Sequence, residues 1–100
     1  MALAPAGKMG NFPAGQVREV VVLGRILAIS NVGGTLFATD GTCLHRGGPI
    51  GQGDLDGKIV TCPLHGWTYD VTTGQSFVNP AAKLRTFPVS VQGDEVLVDL

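Results

Sequence analysis

Every cysteine and histidine of this chain, two of each, falls in one of two short segments. One residue separates Cys43 from His45, and two residues separate Cys62 from His65. In extended backbone, side chains two positions apart point the same way, so the first pair can share a face. Residues three apart approach each other across a tight turn, which Pro63 favours, so the second pair can do likewise. The spacing predicts that four thiol and imidazole donors meet at one site.

This donor set is typical of two kinds of metal centre. Zinc binds Cys₂His₂ sets, but its usual fingers pair cysteine with cysteine and histidine with histidine along the chain. Here each segment supplies one residue of each type. A dinuclear 2Fe-2S centre with two cysteines on one iron and two histidines on the other needs that distribution when two loops face each other. The residues alone leave both kinds of centre open.

Composition excludes several other classes of protein. Charged residues make up 15% of the chain, and the formal net charge is −1. A disordered chain would be poor in apolar residues and rich in net charge, whereas 44% of this one is hydrophobic. The low charge also provides no broad basic surface for a phosphate backbone. We therefore expect a folded domain without a nucleic-acid partner.

The apolar runs are too short to cross a bilayer. Val20–Leu23 and Ile26–Ile29 are interrupted by Gly24 and Arg25, whereas a transmembrane helix needs about 20 apolar residues. Residues 1–6 lack the basic start and the sustained apolar stretch of a secretory signal. Two cysteines allow at most one disulfide, too few for a small secreted scaffold. These features predict a soluble, cytoplasmic protein without a membrane partner.

The elements that must position the donors are expected to be β-strands. Short β-branched runs alternate with glycine-rich turns, and the best hairpin turn is Gly33-Gly34. No window has a helical stripe of adequate length, and Lys83–Arg85 is at most a short helical turn. This pattern predicts an antiparallel all-β sandwich or barrel. The expected strands are Glu19–Leu23, Arg25–Val32, Thr35–Thr39, Ile59–Thr61, Trp67–Val71, Gln75–Val78, Thr86–Val91 and Glu95–Leu100.

Two longer segments around the donors resemble the cluster-binding boxes of Rieske proteins. They read Cys43-Leu44-His45-Arg46-Gly47-Gly48-Pro49 and Cys62-Pro63-Leu64-His65-Gly66-Trp67-Thr68-Tyr69-Asp70. The similarity is greatest to the ferredoxins of bacterial ring-hydroxylating dioxygenase systems. It implies the Rieske fold, with antiparallel sheets forming a sandwich or incomplete barrel and a two-loop cluster-binding subdomain. It also implies one domain over residues 1–100, with a lead-in over 1–16 and the subdomain over about 41–82.

The resemblance assigns one 2Fe-2S cluster to the four donors. Cys43 and Cys62 would hold the inner iron, while His45 and His65 would hold the outer iron that takes the electron. The same resemblance implies a supporting shell around the cluster. Its members are Arg46, Gly47, Gly48, Leu64, Gly66, Trp67, Tyr69 and Pro80.

Individual members of that shell have expected roles. Backbone N–H groups of the glycines would point at sulfur, and the Tyr69 hydroxyl would donate to a cysteine sulfur. Trp67 stands where high-potential Rieske proteins have a serine hydroxyl. Leu64 stands where proteins of cytochrome bc-type complexes have a further cysteine. Fewer donors to sulfur stabilise the reduced cluster less, which predicts a low reduction potential.

The implied function is one-electron transfer. As a Rieske ferredoxin, the chain would accept an electron from a flavin- or iron–sulfur-dependent reductase and pass it to a terminal oxygenase. It would not itself be an enzyme, because the sequence offers no donors for a second iron site. Two alternatives remain: a small subunit resembling that of assimilatory nitrite reductase, and a zinc-stabilised binding module.

Overall fold

The computed structural model describes residues 2–64 and 66–100 and is almost entirely β. Short 3₁₀ turns occur at Met9–Asn11 and Ile50–Gln52. Among the described residues, no helix is long and apolar enough to cross a membrane. The strands are β1 (Leu3–Lys8), β2 (Val17–Val22), β3 (Arg25–Val32), β4 (Thr35–Asp40), β5 (Asp54–Asp56), β6 (Ile59–Thr61), β7 (Thr68–Asp70), β8 (Thr86–Phe87), β9 (Val89–Gln92) and β10 (Glu95–Asp99).

These strands form three open antiparallel sheets, as the expected Rieske fold requires. The first sheet has the order β1-β10-β9, and the second has the order β2-β3-β4-β8. The third sheet, β5-β6-β7, carries the second cysteine segment between β6 and β7. The first cysteine segment leaves the end of β4. Both segments are therefore loops held by antiparallel strands.

Tight turns set the register of the second sheet. Gly33 and Gly34 have φ values of 60° and 100°, which is the left-handed backbone that a two-residue hairpin needs. They join β3 to β4 with Val32 opposite Thr35. The β2–β3 turn uses Leu23 and Gly24 at φ 50° and 77°. Leu23 is the only non-glycine residue with positive φ among those described.

The four-stranded sheet separates two hydrophobic cores. Alternation along β3 sends Leu27 and Ile29 into the first core and Ala28 into the second. The first core lies against the β1-β10-β9 sheet through Ala4, Val96 and other residues. The second core contains both cysteines and is completed by Val17, Ile50, Val60, Tyr69, Val71 and Leu84. The candidate metal donors are thus anchored in a packed core.

Three local expectations from the sequence are wrong. Residues 3–8 form β1, although no strand was expected before β2. Gln75–Val78 forms no strand and makes only the isolated bridges Tyr69↔Ser76 and Gln75↔Lys83. The run expected over Thr86–Val91 is broken at Pro88, which lacks the N–H that a continuous ladder needs. β8 therefore pairs with β4, and β9 pairs with β10.

Candidate metal centre

The two cysteine loops share one backbone pattern. The Cys43 N–H donates to the carbonyl of Gly48 at 2.8 Å, and the Gly47 N–H donates back to the Cys43 carbonyl at 2.9 Å. In the second loop the Cys62 N–H donates to the carbonyl of Trp67 at 2.8 Å, and the Gly66 N–H donates to the Cys62 carbonyl at 3.1 Å. In each loop the cysteine N–H therefore bonds to the carbonyl five residues later, and the glycine N–H bonds to the cysteine carbonyl four residues earlier.

Glycine is required at one corresponding position of each loop. Gly47 and Gly66 follow their cysteines at the same spacing, with φ values of 73° and 76°. That left-handed conformation is strained for other residues, so glycine closes the turn without cost. Antiparallel pairs also flank the loops equivalently, with Thr42 opposite Pro49 and Thr61 opposite Thr68. Each cysteine is thereby held by backbone geometry.

Both thiols lie inside the protein, one on each loop. Cys43 is 4% exposed and Cys62 is 1% exposed. Gly48 of the first loop packs directly on the second, because a Cβ added there would lie 2.6 Å from Cys62 Sγ and 2.8 Å from Leu64 Cβ. The missing side chain of Gly48 allows the loops to approach. The structure therefore brings the two cysteines of distant segments into one buried site.

Tyr69 ties the first loop to the core. Its side chain is fully buried, and its hydroxyl lies 3.3 Å from Cys43 Sγ. The Leu44 N–H donates to the same phenol oxygen at 3.1 Å. Burial raises the pKa of Tyr69, and its bond to Cys43 raises the pKa further. The phenol therefore keeps its proton and can donate to a thiolate.

The surroundings of Cys43 favour its deprotonated form. Burial alone raises the pKa of the thiol. Hydrogen bonds from the Tyr69 hydroxyl and from the backbone near His45, together with the neighbouring Cys62 and the backbone near Arg46, outweigh burial, so the net pKa is lowered. A thiolate is the form that binds metal. This environment suits a cysteine that holds iron.

His45 lies at the surface of the same loop. Its imidazole stacks on the Trp67 indole, with the ring centroids 4.7 Å apart and the planes 6° from parallel. The loop tips are otherwise open to solvent, since Leu44 is 49% exposed and Leu64 is 52% exposed. His65, the fourth expected donor, lies outside the described residues. The described part of the site therefore combines two buried cysteines with one exposed imidazole.

The remaining expected shell residues differ in position. Arg46 is exposed beside His45. Pro80 is also exposed, and its carbonyl accepts a hydrogen bond from Gln75 Nε2 at 3.1 Å. The same amide nitrogen donates to the carbonyls of Ser76 and Ala82 at 3.2 and 3.1 Å. Gln75 therefore braces the proline loop. Sequence reasoning assigned Gln75 no role, because a polar residue beside a turn has no distinctive spacing.

The donor set fits a two-iron centre. Within residues 2–64 and 66–100, no three Cys, His, Asp or Glu side chains converge on one metal position. A 2Fe-2S cluster of the Rieske kind needs only two protein donors for each iron, thiolates on one and imidazoles on the other. The described residues supply two buried thiols for one iron and one exposed imidazole for the other, which matches this division of donors.

Known proteins with similar sequences and structures are described as ferredoxins of dioxygenase systems. The ferredoxin component of the naphthalene 1,2-dioxygenase system of Pseudomonas aeruginosa is 38% identical over 88% of this chain and 86% of its own length. A chain in a solved complex of reduced oxygenase and oxidized ferredoxin of carbazole 1,9a-dioxygenase is 33% identical. It superposes with a TM-score of 0.85 over 94% of this chain and 89% of that chain.

One similar structure bears on the nitrite reductase alternative. It is described as the small subunit of an NADPH nitrite reductase and has a TM-score of 0.83 with full coverage of both chains. Its sequence identity is 17%, so this likeness shows the fold alone. The curated relative and the solved oxygenase–ferredoxin complex are more similar in sequence.

The family match settles which kind of metal centre the donors serve. The Rieske [2Fe-2S] domain family matches residues 2–88, which include both cysteine loops. The family's cofactor is one 2Fe-2S cluster, so the zinc alternative is set aside. With its buried thiols, its exposed imidazole and this match along most of its length, the chain belongs to the Rieske [2Fe-2S] domain family.

Proposed function

We propose that this chain is a one-electron carrier that receives electrons from a flavin- or iron–sulfur-dependent reductase and passes them to a terminal oxygenase. Cys43 and Cys62 hold the inner iron, and His45 and His65 hold the outer iron. The observation that carries the assignment is the division between thiols at 4% and 1% exposure and an imidazole at the surface. The cysteines are thereby shielded from solvent, while the imidazole is open to a partner protein.

The bound cluster supplies the one-electron chemistry, and the chain supplies the environment. The hydrogen-bonded turns closed by Gly47 and Gly66 hold the cysteines in place. The protein therefore reorganises little when the charge of the cluster changes. The Tyr69 hydroxyl donates toward Cys43 Sγ, which favours the more negative reduced state. The exposed edge of His45 offers a short path to a docked protein. No residue of the chain acts on a substrate.

The reduction potential follows from the number of donors to sulfur. Trp67 occupies the position of a hydroxyl donor in high-potential Rieske proteins, which leaves Tyr69 as the hydroxyl near Cys43. With fewer hydrogen bonds, the reduced state is stabilised less. We place the potential near the lower end of the Rieske range, at about −150 mV.

The partners are proposed from the relatives. The naphthalene 1,2-dioxygenase relative is a ferredoxin component, and the carbazole dioxygenase complex contains a ferredoxin with an oxygenase. The leucines of the two loops, Leu44 and Leu64, are about half exposed and give the loop tips an apolar surface. An apolar tip suits brief docking that excludes water from the transfer path. We place the carrier in the cytoplasm, free of membrane and nucleic acid.

The domain proposal is a single Rieske unit over residues 1–100. Residues 41–82 form its cluster-binding part, which includes both cysteine loops and the β5-β6-β7 sheet. The lead-in over 1–16 contains β1, which pairs with β10 from Leu3↔Asp99 to Lys8↔Glu95. That pairing supports treating the lead-in as part of the same unit.

The ligand assignment is tested by removing one donor of each type. Cys62→Ser and His45→Ala should each lose the visible absorbance, the iron and the acid-labile sulfide of the purified protein. Arg46→Ala is the matched control for His45, because Arg46 is the exposed neighbour in the same loop. The control should keep its full absorbance. Full cluster content in either donor variant would disprove that residue's assignment.

A further inference from the structure

A groove opens beside the first cysteine loop, at the end of the four-stranded sheet. It has a volume of about 440 Å³ and lies where β3 begins and β4 ends. Its walls include Cys43 and Leu44 from the loop, as well as Ile26 from β3. The groove is therefore adjacent to the proposed cluster, with one proposed donor, Cys43, in its wall. Its volume suits a few side chains of another molecule.

Two arginines give this groove a net positive charge. Arg25, Arg85 and Asp40 line it, so the formal charge is 2 − 1 = +1. Asp40 is engaged by Arg85, whose Nε lies 3.3 Å from Oδ2 and whose backbone N–H donates to the same oxygen at 2.9 Å. Among the described residues, no carboxylate forms an ion pair with Arg25. One cation of the groove is therefore available to an outside anion.

Arg25 is held in place without an acidic partner. Its guanidinium lies over the ring of Phe87, 4.9 Å from the ring centroid. Such a contact fixes the cation by its face and leaves the N–H edge for hydrogen bonding. A guanidinium edge matches a carboxylate in two-point geometry. The groove thus presents an oriented recognition group beside the cluster loop.

The rim of the groove is apolar and exposed. Ile26 is 48% exposed, and its direct cross-strand partner Val21 is 67% exposed. Leu44 continues this apolar strip onto the cluster loop. An interface that combines an apolar strip with a charged anchor is typical of protein–protein contacts. The surface therefore fits a protein segment better than a small free anion.

We propose that this groove receives a carboxylate-bearing loop of the terminal oxygenase, with an Asp or Glu side chain on Arg25 and flanking apolar residues on Ile26 and Leu44. This inference rests on the proposed carrier function and extends it to a second contact beyond the loop tips. Charge complementarity at this rim accelerates encounter and sets the partner's orientation relative to His45. Docking then weakens as salt screens the pair.

The test uses the iron-loaded protein and the reductase and oxygenase components of the naphthalene 1,2-dioxygenase system of the relative described above. Arg25→Gln and Arg25→Glu are compared with Arg18→Gln and Arg18→Glu, which change the net charge equally. Arg18 lies on β2 outside the groove, and its Nη1 donates to the Val17 carbonyl. Arg85→Gln is a second groove variant, in case the loss of the Phe87 contact unfolds the Arg25 variants.

At low salt, Arg25→Glu should reduce kcat/KM for electron transfer from the carrier to the oxygenase about tenfold, mainly through KM, because a rim charge acts on association. The difference in kcat/KM between Arg25→Glu and wild type should shrink at about 0.5 M NaCl. Arg85→Gln should change kcat/KM in the same direction as Arg25→Glu. Reduction potential and visible spectrum should stay at the wild-type values. Equal effects of the Arg25 and Arg18 variants would overturn the inference. A wild-type protein that carries its cluster but passes no electrons to these components would contradict the carrier function, and the groove inference with it.

Discussion

His45 and Trp67 lie face to face, with ring centroids 4.7 Å apart and planes 6° from parallel. The two residues come from different loops, so the stack joins the first cluster loop to the second. It fixes the plane of a proposed iron ligand and covers one of its faces. Trp67 also packs against the second core, which makes it a stiff support.

Removing the aromatic ring at position 67 should loosen the centre. Trp67→Leu loses a ring pair worth about 0.5–1.5 kcal/mol, so the visible absorbance should decay several-fold faster on mild heating. Trp67→Phe should restore most of the lifetime. Phe77→Leu, at an aromatic residue that is 56% exposed, is the control. Equal decay rates for Trp67→Leu and wild type would show that the stack does not support the cluster.

Tyr69→Phe should lower the reduction potential. It removes the hydroxyl that lies 3.3 Å from Cys43 Sγ and keeps the ring that fills the core. One hydrogen bond contributes about 1 kcal/mol, which corresponds to about 40 mV for one electron. Voltammetry of the purified proteins measures this shift. A potential that rises or stays constant in a protein with unchanged melting temperature would contradict the donor role of Tyr69.

Gly48→Ala should impair cluster binding. The new methyl group would lie 2.6 Å from Cys62 Sγ and 2.8 Å from Leu64 Cβ, so the two loops would have to separate. Overpacking of this kind costs about 1–3 kcal/mol. The iron content of protein loaded under equal conditions should fall several-fold.

The control for Gly48→Ala is Gly10→Ala. A Cβ at Gly10 meets no atom within 4 Å, and its φ is not positive. This variant makes the same chemical change in open space and should load iron like the wild type. If both alanine variants load fully, the close approach of the loops at Gly48 is not required.

Asp70 should make stability depend on acidic pH. Burial raises its pKa, but the hydroxyl and N–H of Thr72, at 2.6 and 2.9 Å, and the Lys58 ammonium at 3.3 Å favour the carboxylate. The net pKa is lowered. This stabilisation is fully present above the unfolded pKa of about 3.9 and is lost as pH falls through the lower folded value.

Asp70→Asn tests that dependence. The urea midpoints of wild type and variant should differ by a constant amount between about pH 5 and pH 7 and converge below about pH 4. Because both proteins carry the same cluster, its acid lability affects both midpoints alike. A difference that persists unchanged into acid would show that the ionised carboxylate is not the source of the stabilisation.

Local patterns predicted the central strands well and the first strand not at all. β3 and β6 have their expected bounds, because β-branched runs there end at glycine or beside the cysteine loop. β1 contains Ala4, Pro5, Ala6 and Gly7, which have little preference for a strand. It becomes one through pairing with β10 at the other end of the chain. No local window contains that information.

For the candidate site, too, local sequence predicted some features and missed others. Residue types and spacing identified both loops, since cysteine and histidine occur nowhere else in the chain. The close packing of Gly48 on Cys62 depends on the approach of two segments and has no signature in either one. The Arg25 groove likewise joins β3, β4 and the residue before β8. Such relationships arise only when distant segments fold together.

The shared backbone pattern of the two loops has an evolutionary consequence. Main-chain hydrogen bonds and one left-handed glycine keep each cysteine in position. The side chains at the loop tips therefore contribute little to positioning the cysteines. We therefore expect that Leu44 and Leu64 can be exchanged by mutation without loss of the proposed iron site. Partner choice can diverge among descendants of such a protein without rebuilding the redox centre, which is the kind of freedom that lets one carrier scaffold serve many oxygenases.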